Sequence, residues 1–516
     1  MLATALASTL FGLDGVLVRI EVEAARGVPS FELVGLAEAA VRESRVRVKA
    51  ALAQVGVDIS EHRITVNMAP ADLKKSGSGF DLAIAVATLA ALGKVPQQAL
   101  LGTLFVGELS LAGALHAVRG VLPRLLTARA YGVHSAIVPF ENLGEAALVR
   151  EVHAWGARTL ADVAASLRGE QDLVVAKPGP AHVPVRAAHD MSDVRGQASA
   201  RRALEIAAAG GHNLLMIGSP GAGKTMLARR LSTVLPPLSF EESVEVAAIH
   251  SIAGMLPAAR EIDTQRPFRS PHHTVSDVGL VGGGDRARPG EVSLAHRGVL
   301  FLDELPEFRR SALEALRQPL EDGHVVIVRA DARATYPARA IVVGAMNPCP
   351  CGHLGDGTER CRCPLERVRA YRARVSGPLL DRIDVHVALS PVKVASLQKA
   401  RGGEASALVR ARVEAARELQ RERVEKKETR APLNALLSLS DLEKVAALDE
   451  RGSSALAQAV SSLGLSARAY TKVLRVARTV ADLAGATSVS AAHVAEAIGA
   501  RVLDRSANHG SFAVAS

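Results

Sequence analysis

A glycine-rich octapeptide offers the clearest chemistry in the sequence. It follows the apolar segment LLMI and consists of Gly218, Ser219, Pro220, Gly221, Ala222, Gly223, Lys224 and Thr225. Glycines at these spacings let backbone N–H groups wrap phosphates, and the helix that follows adds partial positive charge at its start. Lys224 is predicted to reach the β- and γ-phosphates of a nucleotide, and the Thr225 hydroxyl to bind Mg²⁺. The pattern G-x-x-x-x-G-K-T therefore predicts a magnesium-dependent P-loop ATPase.

Two further apolar segments end in polar residues that could complete this site. GVLFLDEL indicates a buried strand that ends at Asp303 and Glu304, and AIVVGAMNP indicates another that ends at Asn347. Asp303 is predicted to hold Mg²⁺ through its waters, and Glu304 to orient the attacking water. Asn347 is predicted to lie between the two preceding strands and to contact the γ-phosphate or the water. An exposed strand end and a plain Asn-Pro turn are the alternatives, and the spacing after the P-loop favours catalysis.

All four cysteines of the chain lie within fifteen residues, and His272 and His273 are a second possible source of metal ligands. The cysteines are Cys349, Cys351, Cys361 and Cys363. Four clustered thiols in a reducing compartment favour tetrahedral Zn²⁺ over disulfides. Because the C-x-C spacing is tighter than usual, unligated thiols and disulfides stay open as alternatives. We predict a structural zinc knuckle that stiffens the loop after Asn347 or contacts DNA, and no metal at the histidines, which lack nearby partners.

The elements that position these residues follow from the hydrophobic patterns. Residues 1–168 alternate strand and helix patterns, which indicates an α/β domain, and VLVRIEVEAARGVPSFELVGL predicts two strands around a turn within it. Residues 169–190 are rich in proline and indicate a linker. Residues 191–390 predict a P-loop α/β core with a parallel sheet. Residues 391–516 are helical throughout, so the predicted fold class is α/β with a C-terminal helical lid.

Composition and charge limit the location and partners of the chain. The formal net charge is +9, from 62 basic and 53 acidic residues, and the pI is near 9.6. A basic balance favours polyanionic partners such as DNA or RNA, although it is a weak signal. The N-terminus lacks the basic region of a signal peptide, and the longest apolar run, residues 82–92, is too short to cross a bilayer. We therefore predict a cytoplasmic protein without a membrane partner.

Several longer motifs carry a family resemblance over nearly the whole chain. They are RPFRSPHHTVSDVGLVGGG, HRGVLFLDELPEF, AMNPCPCGH and SGPLLDRIDVHV. Together they resemble the magnesium-chelatase-like AAA+ ATPases of the ComM/YifB family. The resemblance implies a bacterial hexameric helicase that promotes DNA branch migration in homologous recombination and natural transformation. It also implies ATP and Mg²⁺ as cofactors and branched or single-stranded DNA as the partner.

The resemblance assigns roles to three side chains, two of which have not been considered above. Asn347 matches the sensor-1 position of AAA+ motors. Arg382, in LLDRID, matches the arginine finger, which would reach the γ-phosphate bound by a neighbouring subunit. Arg468, in LSARAYTKVL, matches the sensor-2 arginine of the helical lid. A finger that acts in trans implies a homo-oligomeric ring, whereas the plain alternative is that both arginines are surface residues.

Two segments resemble the elements that face the pore in related helicases. VVIVRADARATYPARAIVVG predicts a hairpin with strands near residues 324–330 and 337–344, similar to the pre-sensor hairpin of minichromosome-maintenance helicases. Arg329 falls where those helicases carry a basic pore residue, and Arg333 lies near the turn. FRSPHHTVSDVGLVGGGD resembles the helix-2 insert. Basic side chains here would neutralise DNA phosphates without reading bases, and simple hairpin solubility is the alternative.

The N-terminal segment resembles the proteolytic domain of Lon, a fold of the S5 domain 2-like type. The resemblance rests on KKSGSGFDLAIAVATLAALG and VGELSLAGALHAVRGVLPRLLTAR. Lon uses a Ser–Lys dyad, whose positions fall near Phe80 and Leu122 in this chain. The nearest residues of the right types are Lys74, Lys75, Ser76 and Ser78. We predict that the Lon-like fold is retained without proteolysis and serves assembly or DNA contact.

Three functions compete for these features. The leading prediction is an ATP-driven, ring-shaped DNA helicase. The first alternative is a motor subunit of a metal chelatase that inserts magnesium into a porphyrin, against which the Lon-like segment, the cysteines and the basic charge argue. The second is a nucleotide-gated scaffold or chaperone for protein partners. DNA-stimulated ATPase activity discriminates among them.

Overall fold

A computed structural model describes most of the chain. It covers residues 1–75, 77, 79–177, 189–256, 263–284, 287–329, 332–357, 359–390, 402–463 and 466–501. These residues form a mixed α/β part, a P-loop α/β part and a group of C-terminal helices. Among the described helices, none combines the length and the apolar character needed to cross a membrane.

The N-terminal part is built on an eight-stranded mixed sheet. In sheet order its strands are Val174–Val175, His153–Ala157, Ser135–Pro139, Thr103–Phe105, Leu2–Phe11, Asp14–Arg26, His62–Ala69 and Ser30–Val34. Its helices are Ala39–Gln54, Asp81–Ala91, Val121–Ala130, Leu143–Ala146 and Leu160–Leu167, with 3₁₀ turns at Gln97–Leu100 and Phe140–Asn142 and a short hairpin of Glu108–Leu109 with Leu115–His116. Every residue of Asp81–Ala91 is buried, as expected of a helix that is apolar on all sides.

Two details of this sheet differ from the sequence predictions. The first strand, Leu2–Phe11, was not predicted, because its buried face is lined by small residues such as Ala3, Ala5 and Ala7 and alanine gives little strand signal. The two strands predicted around a turn exist as Asp14–Arg26 and Ser30–Val34. They do not pair with each other, because His62–Ala69 lies between them.

The predicted linker, residues 169–190, is described only in part. Val174–Val175 adds an antiparallel edge strand beside Trp155 and Gly156, so this stretch continues the N-terminal sheet. Residues 178–188 lie outside the described residues. The chain is described again at residue 189 and enters the P-loop part through the 3₁₀ turn Met191–Asp193.

The P-loop part contains a five-stranded parallel sheet. Its strands, in sheet order, are Phe268–Arg269, Val299–Leu302, Ile341–Met346, Leu214–Gly218 and Val385–Leu389. Its helices are Ala198–Gly210, Lys224–Val234, Phe240–Ala253, Asp277–Val281, Glu291–Leu294, Arg310–Ala315, Arg317–Asp322, Leu365–Arg372 and Gly377–Leu380, with a 3₁₀ turn at Leu305–Glu307 and a short pairing of Gly282–Gly283 with Arg288–Pro289. The sheet order places Ile341–Met346 between the two preceding strands, so the segments after three carboxyl ends meet at one edge.

A hairpin precedes the strand Ile341–Met346. Its strands are His324–Arg329 and Ala332–Pro337, with Arg329 opposite Ala332 and His324 opposite Pro337. The predicted second strand, residues 337–344, is therefore wrong in position. Alternation decides the register, because Ala334 and Tyr336 are buried on one face while the chain after residue 337 leaves the hairpin for the sheet.

The C-terminal helices cover one face of the P-loop part. They are Ser406–Glu425, Leu439–Val445, Glu450–Leu463, Ala467–Leu483 and Ala491–Gly499, with a 3₁₀ turn at Asn434–Leu436. Val413, Val473 and Val480 belong to the same hydrophobic core as Leu204 of helix Ala198–Gly210. Helix Ala467–Leu483 buries one side against this core, and Ala467, Arg468 and Tyr470 in its first turn are exposed.

The N-terminal part packs directly on the P-loop part. Buried Glu145 accepts hydrogen bonds from the Ser251 hydroxyl and, at 2.7 Å, from the backbone N–H of Leu122. Burial raises the pKa of Glu145, and these donors oppose the shift. Gly12 forms an isolated parallel bridge with Thr335 of the hairpin. The N-terminal part therefore contacts both the helix Phe240–Ala253 and the hairpin.

Candidate nucleotide site

The P-loop joins the strand Leu214–Gly218, which lies between Ile341–Met346 and Val385–Leu389 in the sheet, to a helix. The strand ends at Gly218, and the helix begins at Lys224. Gly223 adopts φ +91°, a left-handed conformation that glycine tolerates and side chains rarely adopt. The Lys224 Nζ donates to the carbonyl oxygens of Gly218 at 2.6 Å and Ser219 at 3.1 Å, and to Asn347 Oδ1 at 3.0 Å. The lysine is thus held at the edge of the sheet beside the end of a neighbouring strand.

Two oxygen ligands suited to magnesium lie beside this lysine. The Thr225 hydroxyl donates to Asp303 Oδ2 at 2.7 Å, and Asp303 Oδ1 accepts from the backbone N–H of Glu304 at 2.9 Å. Hydroxyl and carboxylate oxygens are the donors that Mg²⁺ prefers. Burial lowers the pKa of Lys224, while the charges of Asp303 and Glu304 oppose that shift. The chemistry of these donors fits a Mg²⁺–nucleotide complex.

Glu304 stands at the strand end in an unusual conformation. Its φ is +53°, in the left-handed region, where a non-glycine residue is uncommon and is held only by its surroundings. Its exposed carboxylate lies 3.2 Å from His273 Nδ1. The His273 ring lies 4.1 Å from the ring of His272 and 6.5 Å from that of Phe308.

The contact between His273 and Glu304 was not predicted. The sequence led us to weigh the two histidines only as metal ligands. Strand Phe268–Arg269 is the parallel neighbour of Val299–Leu302, so the segments after both strands meet. The pair could have been predicted only if the order of the strands in the sheet had been known.

The four cysteines form a compact cluster directly after Asn347. Their sulfur atoms all lie within 4.8 Å of one another. Among the described residues, they are the one group of three or more His, Cys, Asp or Glu side chains that could hold a metal ion. Cys349 Sγ lies 3.3 Å from Cys351 Sγ and 3.7 Å from Cys361 Sγ. A Zn–S bond of about 2.3 Å gives tetrahedral sulfur separations of about 3.8 Å. The backbone N–H of His353 lowers the pKa of Cys351 to about 6, whereas burial and the neighbouring cysteines raise the pKa of Cys361 and of Cys363.

Three family models match most of the chain. Residues 190–397 match the model described as magnesium chelatase, subunit ChlI, and residues 20–142 match subunit ChlI of Mg-chelatase. Residues 403–501 match the C-terminal model of the same subunit.

Full-length relatives decide the family. The chain is 43% identical to the competence protein ComM of Haemophilus influenzae over 503 residues, which cover 96% of both chains. It is also 43% identical to YifB of Escherichia coli over 496 residues, again 96% of both. The chain belongs to the ComM/YifB family. The magnesium-chelatase 38 kDa subunit of Rhodobacter capsulatus is a more distant relative, 26% identical over 190 residues, which are 33% of this chain and 54% of that subunit.

Membership in the ComM/YifB family identifies the P-loop part as a magnesium-chelatase-like AAA+ module. This module is of the ATP-binding type, in agreement with the P-loop geometry and with ATP and Mg²⁺ as its cofactors. The similarity continues through the N-terminal part and the C-terminal helices, so the whole chain follows one family plan.

Arg382, which was predicted from the resemblance to related motors to be an arginine finger, is engaged within its own chain. Its guanidinium pairs with Glu321 and donates to the carbonyl oxygen of Pro378 at 2.5 Å, and 11% of the side chain is exposed. The buried Lys472 donates to the backbone carbonyls of Asp381 and Ile383 on either side of it. Helix Ala467–Leu483, which carries Lys472, therefore holds the backbone on both sides of Arg382. The sequence did not predict this contact.

The remaining candidate residues lie away from these contacts. Arg468 occupies the first turn of helix Ala467–Leu483 and is exposed. Arg333 is exposed on the hairpin opposite Val328. The backbone of Arg329 pairs with Ala332, and its side chain lies outside the described residues.

The positions that match the Lon dyad carry no nucleophile. Phe80 and Leu122 are both fully buried in hydrophobic cores. Lys75 is buried and donates to the carbonyl oxygen of Pro70, and Lys74 lies 3.2 Å from Glu38. Ser76 and Ser78 lie outside the described residues. Loss of proteolysis in this part of the ComM/YifB chain stays a prediction.

Proposed function

We propose that this ComM/YifB member is an ATP-driven, ring-shaped DNA helicase that promotes branch migration in homologous recombination, including natural transformation. One observation carries the proposal. The hairpin His324–Pro337 leads through three residues into the strand Ile341–Met346, and Asn347 at the end of that strand contacts Lys224 at 3.0 Å. A change at the γ-phosphate therefore has a short mechanical path to a basic hairpin.

Each residue of the site has a distinct task in the proposed reaction. Lys224 and the P-loop N–H groups bind the phosphates, and Thr225 and Asp303 hold Mg²⁺, which supplies charge neutralisation when bound. Glu304 orients and activates the attacking water, and Asn347 contacts the γ-phosphate or that water. Arg468 reaches the nucleotide from the lid when the lid closes.

Hydrolysis in this proposal requires a neighbouring subunit. Arg382 acts as the finger in trans, which is typically worth 10³–10⁵ in rate. Within one chain Arg382 pairs with Glu321, so assembly exchanges this carboxylate for a nucleotide phosphate. The complete site therefore exists only at subunit interfaces, and a cytoplasmic homo-oligomeric ring, a hexamer by the family resemblance, follows.

The DNA contacts are assigned to the hairpin and the helix-2 insert. Arg329 and Arg333 would neutralise phosphates inside the channel, which gives affinity without base specificity. The competence name of the Haemophilus relative agrees with a role on incoming DNA. Residues 1–168, a Lon-like fold without proteolysis in this proposal, support the hairpin through the contact between Gly12 and Thr335. Residues 391–516 act as the lid on the module 191–390.

The cysteine cluster is proposed to hold a structural Zn²⁺. The sulfur separations described above suit tetrahedral coordination by Cys349, Cys351, Cys361 and Cys363. Metal analysis of purified protein should find one zinc per chain, and Cys361→Ser should lose it. A zinc-free wild-type protein purified under reducing conditions would contradict this part of the proposal.

A magnesium-chelatase motor subunit is the second candidate function. The family models that match the chain favour it, because all three are named for that subunit. The similarity to a chelatase subunit itself covers only 33% of the chain, whereas that to the competence protein covers 96%. The two candidates differ in their dependence on DNA.

Three-stranded branch migration by purified protein tests the proposal directly. We expect wild-type protein to extend the heteroduplex in an ATP-dependent manner and branched DNA to stimulate its ATPase. Lys224→Ala, which cannot bind the phosphates, should do neither. If branched DNA neither binds to the protein nor accelerates turnover, the helicase proposal fails and the chelatase candidate becomes the better one.

A further inference from the structure

The first turn of the cysteine knuckle, residues 349–352, packs on the P-loop. Gly352 is buried and adopts φ +83°, and the backbone N–H of Gly352 donates to the Cys349 carbonyl at 3.0 Å. A Cβ at this position would lie 2.6 Å from Cδ and 2.8 Å from Cγ of Pro220. It would also lie 3.8 Å from Cγ of Asn347. The backbone of the turn thus packs against Pro220 of the P-loop. It also lies beside Asn347, the side chain that contacts Lys224.

A helix on the far side of the cluster holds the same segment. The backbone N–H of Asn347 approaches the hydroxyl of Tyr371, and Arg372 donates from Nε at 3.3 Å and Nη2 at 3.1 Å to the carbonyl oxygen of Pro348. Both residues belong to helix Leu365–Arg372, which begins two residues after Cys363. The segment that follows the strand is therefore held between the P-loop, the cysteine cluster and this helix.

We propose that the cysteine knuckle is a positioning element of the nucleotide site, with Gly352 as the residue that seats it on Pro220. Coordination of one Zn²⁺ by the four sulfur atoms would fix the conformation of the turn 349–352. The turn in turn fixes the positions of the phosphate-binding loop and of Asn347. Ligation at Cys361 and Cys363 then sets nucleotide affinity through the turn 349–352. This inference rests on the proposed ATP site and zinc centre and adds the coupling between them.

Gly352→Ala tests the contact, and Gly357→Ala is its matched control. Gly357 lies in the same knuckle with φ +76°, but a Cβ there has nothing within 4 Å. Both substitutions carry a similar backbone cost, and only the first pushes on Pro220. We expect Gly352→Ala to bind fluorescent ADP at least tenfold more weakly than wild type, with unchanged zinc content, and Gly357→Ala to stay within twofold. Wild-type ADP affinity in soluble Gly352→Ala protein would overturn the proposal.

A compensating substitution separates packing from general damage. Pro220→Ala removes the two atoms that the new methyl group meets, so adding Gly352→Ala in that background should cost no more ADP affinity than Gly357→Ala does in wild type. A loss of tenfold or more in the double variant, relative to Pro220→Ala alone, would show that the effect does not pass through this contact. If Gly352→Ala alone does not fold, the double variant still decides.

Cys363→Ser tests the role of ligation at a distance. We expect this variant to lose zinc and to bind ADP at least tenfold more weakly. Added Mg²⁺ should restore neither the zinc content nor the ADP affinity. Zinc loss with wild-type ADP affinity would overturn the coupling while leaving the zinc centre in place. A failure of the proposed ATP site looks different, because ADP binding would then be insensitive to Lys224→Ala as well.

Discussion

At the scale of single residues, the site brings together side chains that are far apart in the sequence. Lys224 contacts Asn347, Thr225 contacts Asp303, and His273 approaches Glu304 at 3.2 Å. His273 comes from the segment that resembles the helix-2 insert, so a carboxylate proposed to act on water is touched by a candidate DNA-binding element. The left-handed backbone of Glu304 fits a residue held for function.

Glu304→Gln should abolish hydrolysis while sparing binding. The amide keeps the size of the side chain but cannot accept a proton from water, so we expect turnover to fall by a factor of about 10²–10⁴. ATP should remain bound to the protein, and DNA binding should be retained. Single-turnover hydrolysis and filter retention of labelled ATP measure the two effects.

Glu307→Gln is the control for Glu304→Gln. Glu307 lies three residues further on and pairs with Arg374 at 2.9 Å on an exposed surface. We expect its loss to leave turnover within twofold, because exposed ion pairs contribute little. Intact hydrolysis in Glu304→Gln would remove the role assigned to that residue.

At the scale of elements, the hairpin and the segment that carries Arg382 each connect to the nucleotide site through one strand. The hairpin leads into Ile341–Met346, and Val385–Leu389 follows directly on the segment that carries Arg382. Both strands flank Leu214–Gly218 in the sheet. Because both strands are neighbours of the strand that leads into the P-loop, the hairpin and the segment that carries Arg382 can both respond to a nucleotide bound there.

Arg333→Ala should weaken DNA binding without changing its sequence preference. Removing one phosphate contact should lower the slope of log affinity against log salt concentration by about one. Fluorescence anisotropy over a range of salt concentrations measures the slope. Arg421→Ala, on the lid helix Ser406–Glu425 and paired with Glu418, is the control and should leave the slope unchanged.

Arg329→Ala tests the coupling of the hairpin to movement. We expect strand displacement to fall several-fold while basal ATPase activity without DNA stays near the wild-type rate. Displacement at the wild-type rate would remove this hairpin from the proposed DNA grip.

His386 should make the junction between the sheet and the lid sensitive to acid. Burial, together with the charges of Arg501 and Lys472, lowers the pKa of His386 to about 3, while the charge of Asp384 opposes the shift. No hydrogen-bond partner for either ring nitrogen occurs among the described residues. The unfolded chain takes up a proton below about pH 6.5, whereas the folded chain does not until about pH 3.

The sign of this effect follows from proton uptake. His386 contributes stability that is fully present above its unfolded pKa and is lost as the pH falls from about 6.5 towards 3, at up to about 1.4 kcal/mol per pH unit. Thermal melts at pH 7.5, 6.0 and 5.0 should show a smaller decline for His386→Leu than for wild type. His134→Leu, at an exposed position, should follow wild type. An unchanged decline in His386→Leu would assign the acid sensitivity to other groups.

At the scale of the whole molecule, the proposed mechanism needs a site that is complete only between subunits. Arg382 pairs with Glu321 in its own chain and is held there by the lid through Lys472. In the proposed ring, assembly would therefore be linked to the positions of the C-terminal helices and of Arg382. The N-terminal part joins the same network through Glu145 and Ser251.

Mixing two inactive variants tests this sharing. Arg382→Ala and Lys224→Ala should each lose ATPase activity, and an equal mixture should recover roughly a quarter of wild-type turnover, since about one interface in four then pairs an intact P-loop with an intact finger. Steady-state ATPase assays after subunit exchange measure the recovery. A mixture of Lys224→Ala with Glu304→Gln is the control, because both residues act within one subunit and no interface is restored. No recovery in the first mixture would contradict a finger in trans.

The residues proposed for the ATP site stand out in the sequence because their types and spacing are constrained by chemistry. A P-loop needs glycines and a lysine in one order, and apolar strands that end in Asp303-Glu304 and Asn347 leave few other interpretations. The family membership could be predicted for the same reason, since it rests on local motifs. The four cysteines were predicted as a cluster, and their sulfur atoms do converge.

The contacts between distant segments were decided only by the tertiary structure. The hairpin register, the strand Leu2–Phe11 and the pairing of His273 with Glu304 depend on which strands become neighbours, and local patterns do not record this. Gly352 is the clearest case. Its sequence surroundings predict a zinc knuckle, but only packing shows that its missing side chain makes room for Pro220 of the phosphate-binding loop. The spacing of residues along the chain indicates which reaction they could support. The path of the backbone decides which of these residues come into contact.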